Sequence, residues 1–196
     1  MNIGSPIESV VPTLDGPVLE VLAGSTTPLS LSEVQRRIRR GKLSGVRSVL
    51  HRLTNEGVVL KVPGGFLLNR QHVAAGAVEA LVTLRGEFLS RLRAEVASWS
   101  YLADLVGLFG SFARREGDGE SDIDILIVGE ERCPDEVLDT LGLHVLTWTG
   151  NRAQVMALTR AELARIRAVG EPILAAWHRD LETVMGDVAL LRTLTA

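Results

Sequence analysis

Gly107-Leu108-Phe109-Gly110-Ser111-Phe112-Ala113-Arg114-Arg115, followed by Ser121-Asp122-Ile123-Asp124-Ile125-Leu126-Ile127-Val128, is the stretch that decides how this chain is read. A short apolar run meets a Gly-Ser turn, a polar segment follows, and a second apolar run opens with two aspartates. Side chains alternate along a strand, so Asp122 and Asp124 share one face while Ile123 and Ile125 point into a core. Two carboxylates on one face repel each other unless something positive lies between them. Mg2+ suits that position, because it takes carboxylate oxygens and keeps water and phosphate oxygens as its other ligands. Gly110 lets the backbone turn sharply and be approached closely. Backbone N–H groups there, with the Ser111 hydroxyl, can meet a phosphate. A Gly-Ser pair alone is ordinary, and Asp-x-Asp alone is often a solvated turn. In this order, on adjacent apolar strands, they outline a place for a polyphosphate and a divalent metal.

Gly110-Ser111, ten intervening residues and Asp122-Ile123-Asp124 together resemble the signature of the DNA polymerase β-like nucleotidyltransferase superfamily. The Gly-Ser-x-Ala-Arg form of Gly110 to Arg114 and the Ser-Asp-Ile-Asp form of Ser121 to Asp124 are similar to its small, minimal prokaryotic members. The resemblance covers about residues 85 to 160. It implies that Asp122 and Asp124 are the catalytic, metal-binding pair. Gly110, Ser111, Arg114 and Ser121 would then line the nucleotide, although Arg114 also reads as a plain surface arginine. The implied cofactor is Mg2+ or Mn2+, with a nucleoside triphosphate, ATP first, as substrate or ligand. The family pattern carries a third carboxylate on a later strand. The matching strand here is Ala153 to Leu158, where that position holds Gln154. Glutamine offers a carbonyl oxygen but neither charge nor proton acceptance, and the third carboxylate serves the metal nearest the attacking hydroxyl. Glu162 is a poor substitute, because Thr159-Arg160-Ala161-Glu162 reads as a capping box that folds Glu162 back on a helix start.

Charge is unevenly spread. Residues 1 to 72 hold nine Lys+Arg and five Asp+Glu, a balance of +4; the whole chain is −3, which leaves −7 for the remainder. A basic module joined to an acidic one follows. In the basic part, Leu14, Val18, Val21 and Leu22 give a first helix, and Ser30-Leu31-Ser32-Glu33 is a capping box opening a second. A third helix runs from about Ser44 to Glu56, with Val46, Val49, Leu50 and Leu53 facing a core. Val58 to Lys61 and Phe66 to Leu68 then flank a turn at Val62-Pro63-Gly64-Gly65. This order resembles the winged helix-turn-helix domains of bacterial transcription regulators, which lay a helix in the major groove and a wing on the backbone. The residues it assigns to DNA are Arg40, Lys42, Ser44, Arg47, Ser48, His51, Arg52 and Lys61. Winged helices also act as protein-interaction modules, and that alternative stays open.

The expected class is α+β: a winged helix-turn-helix over 1–71, a connecting helix over 72–99, and a nucleotidyltransferase-like mixed sheet with flanking helices over 100–196. Val78, Leu81, Leu84 and Phe88 carry the connecting stripe. Residues 134 to 149 read as a helix, with a strand over 144 to 149 as the alternative. Ile173, Leu174 and Trp177 share one helical face. Cys133 is the only cysteine, which excludes an intrachain disulfide and a thiolate zinc cluster, and His51, His72, His144 and His178 have no ligand spacing. No apolar run approaches a membrane span and the start lacks a targeting pattern, so a cytoplasmic location is expected. Two functions compete. One is a nucleotidyltransferase acting on an acceptor the sequence does not name, a partner protein among the candidates. The other is a DNA-binding regulator or antitoxin-like protein whose nucleotide domain only binds or dimerises. A homodimer is expected in either case.

Overall fold

The computed structural model describes residues 1–38 and 41–193. They form two compact units: Ser5–Arg85, and Met1–Gly4 together with the chain from Gly86 onward.

The first unit opens with a 3-10 turn (Pro6–Ser9), then α1 (Asp15–Ala23), α2 (Leu31–Ile38), α3 (Leu43–Asn55), β1 (Val59–Val62), β2 (Gly65–Leu68) and α4 (Ala75–Val82). The capping box before α2 forms as expected: the Ser30 N–H donates to the Glu33 carboxylate at 2.8 Å, and the Glu33 N–H to Ser30 Oγ at 3.3 Å. Val18, Leu22, Val34, Val46, Leu50, Leu53 and Val59 are all buried in one core. β1 and β2 pair antiparallel, Lys61 opposite Phe66. Leu29 adds a single bridge to Phe66 on the other edge. Gly65 makes that bridge feasible, because a Cβ there would lie 2.1 Å from the Leu29 carbonyl oxygen.

The second unit contains most of α5 (Leu84–Val96), then β3 (Leu105–Phe109), α6 (Gly110–Arg114), β4 (Ile123–Gly129), α7 (Asp135–Thr149), β5 (Ala153–Thr159), α8 (Arg160–Val169), α9 (Pro172–Asp180), β6 (Glu182–Gly186) and α10 (Leu190–Thr193). Its sheet has the order β5-β4-β3-β6; β4 and β5 are parallel, and the other pairs are antiparallel. The sheet is therefore mixed, with helices on both faces. Val106, Leu108, Ile123, Ile125 and Ile127 bury one face with Phe88, Leu89 and Leu92 of α5 and Leu141 and Val145 of α7. Leu105, Leu126 and Val128 bury the other with Leu163 of α8 and Trp177 of α9. Each such side chain contributes about 1.5–3 kcal/mol on burial, so β3 and β4, packed on both faces, form a rigid platform.

One expectation needs revision. The single helix over 72–99 is two. Val78 belongs to the first core and Phe88, Leu89 and Leu92 to the second. The chain breaks at Thr83, whose hydroxyl and N–H both donate to the Ala80 carbonyl. Residues 144–149 are helical throughout, which removes the strand alternative. β6 was not foreseen: it is a five-residue edge strand, partly exposed and with a break in register against β3 between Val106 and Gly107, so its alternation is too short to read. Among the described residues, no helix is long and apolar enough to cross a membrane.

Candidate nucleotide and metal site

β3 and β4 run antiparallel, which brings Phe109 opposite Asp124. The chain leaves β3 at Phe109 and turns directly into α6. Two ring contacts fix that corner. Phe109 meets Trp177 edge-on at 6.0 Å, and the fully buried Phe112 meets Phe88 edge-on at 5.0 Å. Gly110 takes φ +66, and a Cβ there would stand 2.0 Å from Asp124 Oδ2. The Asp124 carboxylate thus rests against the bend itself, in space that only glycine leaves free. The Asp124 carboxylate and the glycine of the bend are therefore adjacent, with Ser111 next in the chain.

The electrostatics agree. The carboxyl of Asp124 is held above its ordinary pKa, first by burial and then by the charge of Asp122; Arg114 opposes both from nearby. Asp122 is exposed and immediately precedes β4. A half-buried carboxylate with a like charge beside it is an arrangement that a divalent cation relieves, and two carboxylates are oxygen donors of the kind hard divalent cations take. Among the described residues, no hydrogen bond engages the Ser111 hydroxyl, and the first N–H groups of a helix have no partner within it. Gln154 lies directly opposite Asp124 in the parallel β4–β5 register, exposed, where the resemblance implies a carboxylate. Among the described residues, no group of three or more His, Cys, Asp or Glu side chains is arranged to hold a metal. The capping box at Thr159 forms, with the Thr159 N–H donating to Glu162 at 2.8 Å, so Glu162 is engaged elsewhere.

Two further residues have partners of their own. Arg114 donates to Glu116 at 2.8 Å and to Asp180 at 3.0 Å. Asp180, whose side chain is 6% exposed, also accepts from Arg179, and the two guanidinium groups pull its pKa down to about 2. Ser121 is tied into the preceding loop: its hydroxyl donates to Asp118 Oδ1 at 2.8 Å and accepts from the Asp118 N–H at 3.0 Å. Sequence reasoning did not single out Asp180, Asp118 or Asn151. Asp180 and Asp118 had no motif around them. Asn151 follows the Gly150 that ends α7 and carries no motif of its own.

In the first unit, Lys42, Ser44, Arg47, Ser48, His51 and Lys61 are exposed. Arg47, His51, Asn55, Lys61 and Phe66 line a cleft of about 460 Å³ between α3 and the hairpin. Arg52 is held within the unit by Asp15, and by Glu56 at 3.1 Å. Arg40 lies outside the described residues.

Residues 89–174 match the family model described as "Nucleotidyltransferase domain". The matched span runs from α5 into α9 and contains the bend, both aspartates and Gln154. No curated protein and no solved structure matches the chain.

Proposed function

We propose that the second unit binds a nucleoside triphosphate, ATP the first to test, and transfers its nucleoside monophosphate to an acceptor hydroxyl with release of pyrophosphate. The observation that carries this reading is the close approach of Asp124 to Gly110, which joins a carboxylate pair to the Gly-Ser bend. Ser111 and the N–H groups at the start of α6 hold phosphate oxygens. Asp122 and Asp124 hold a divalent ion on the same side. That ion, when bound, supplies neutralisation of the charge developing on the transferred phosphorus and the leaving pyrophosphate. Arg114, oriented by Asp180, adds positive potential at the rim. Burial of the corner between β3 and α6 keeps these groups in place before substrate arrives, and such positioning is the larger part of catalysis in phosphoryl and nucleotidyl transfer.

A DNA-binding role for the first unit would draw on its three helices, its antiparallel hairpin and the strand contact at Leu29, an order that resembles a winged helix, and on the exposed Arg47 and Lys61. Gln154 favours a second reading, in which nucleotide binds without transfer and the chain acts as a DNA-binding regulator. Incubation with α-labelled ATP, Mg2+ or Mn2+ and cell extract separates the two. Label on a macromolecule, lost in Asp124→Asn, supports transfer. Metal-dependent nucleotide binding without label transfer supports the regulator.

A further inference from the structure

Asn151 is 2% exposed, and a buried amide with all its hydrogen bonds made is a fixed object. It stands between the end of α7 and the start of β5. Its own N–H donates to the Thr149 hydroxyl at 3.0 Å, and that hydroxyl donates to the Val145 carbonyl at 2.7 Å, so the helix end holds it from behind. Its side-chain Nδ2 faces the loop before β4, while Oδ1 accepts from the Met1 ammonium at 2.6 Å. Nδ2 donates to the Ser121 carbonyl at 2.9 Å and lies 3.2 Å from the Gly119 carbonyl and 3.4 Å from that of Asp118. The next carbonyl along, that of Arg152, accepts from the Ile123 N–H at 2.8 Å. Ser121 and Ile123 flank Asp122. The peptide units on either side of that aspartate are therefore pinned by two consecutive residues of the same segment. Asp122 is exposed and precedes the strand, so no core packing orients it. Asp124, by contrast, is placed by β4 itself.

We infer that Asn151 is the positioning residue that sets the Asp122 carboxylate beside that of Asp124, acting through the Ser121 carbonyl. This rests on the metal-site reading given above. Loops that carry a ligand without core support hold their geometry through such outer partners, and removing one typically costs about 10–100-fold in metal affinity. The inference differs from a general stabilising role for Asn151 in one respect: its effect on metal must pass through Asp122.

Binding of the Mn2+–ATP complex to the full chain, followed by the water-proton relaxation enhancement it produces, tests this in wild type, Asn151→Ala, Asp122→Asn and the double variant, alongside thermal unfolding. Asn151→Ser, a smaller neutral polar side chain without the amide, serves if the alanine variant does not fold. The expected result is a loss of about tenfold or more in Mn2+–ATP affinity for Asn151→Ala, with little further loss when it is added to Asp122→Asn. Equal losses in both backgrounds, or unchanged Mn2+–ATP affinity in a folded variant, overturn the inference and leave the metal site standing. Failure of wild type to bind Mn2+ with ATP overturns the site and the inference together.

Discussion

At Gly110 the demand for glycine is double, since φ is positive and Asp124 Oδ2 occupies the place of a Cβ. Gly110→Ala is expected to destabilise the fold by about 1–2 kcal/mol from the left-handed backbone alone, read by urea denaturation. It should also displace Asp124 and abolish Mn2+-dependent ATP binding; unchanged binding would show that the contact is incidental. Gln154→Glu is the complementary change. Placed opposite Asp124, a third carboxylate should raise Mn2+ affinity while lowering the melting temperature of the metal-free protein through like-charge repulsion; titration and calorimetry on the same sample check both. These positions were legible in the sequence because their chemistry is local: alternation puts Asp124 on one face, and a Gly-Ser pair announces a bend. Asn151 was not legible, because its importance comes from three carbonyls some thirty residues earlier in the chain, which only the parallel β4–β5 pairing brings to it.

Among elements, α6 depends on α9 through the pair Arg114 and Asp180, and the sequence gives no hint that these residues meet. Asp180 has a folded-state pKa of about 2, below its ordinary 3.8. A depressed carboxylate stabilises the fold above the ordinary value, and that contribution disappears as pH falls toward 2. Melting temperatures measured between pH 5 and pH 2 should therefore fall less steeply in Asp180→Asn than in wild type. Parallel curves would remove Asp180 from the account of acid stability. The helices with strong local signals, α2 with its capping box, α7 with its long apolar period and α8 with Thr159 and Glu162, were all readable. The connecting helix was misread because one apolar stripe serves two cores in turn, with the change of partner at Thr83. β6 escaped because an edge strand needs little apolar patterning of its own once β3 supplies its hydrogen bonds.

On the scale of the whole molecule, a basic unit precedes an acidic one that carries the carboxylates. If the first unit binds duplex DNA, the acidic remainder contributes nothing favourable to that contact, and the basic side chains of α3 and the hairpin must supply it. Replacing Arg47 or Lys61 by alanine should each lower the salt dependence of DNA binding by about one counterion where the residue meets phosphate, measured by fluorescence anisotropy from low to moderate salt. An unchanged slope for both would remove DNA from the proposal and leave the first unit as a protein-interaction module. None of this touches the central claim, which is that a carboxylate seated on a glycine-serine bend makes one site for a metal-bound nucleotide. Isothermal titration of ATP into wild type and Asp124→Asn, each with and without Mn2+, tests it most directly. The account predicts ATP binding that requires Mn2+ in wild type and is lost in the variant. Equal ATP binding by both proteins, with or without the metal, would contradict it.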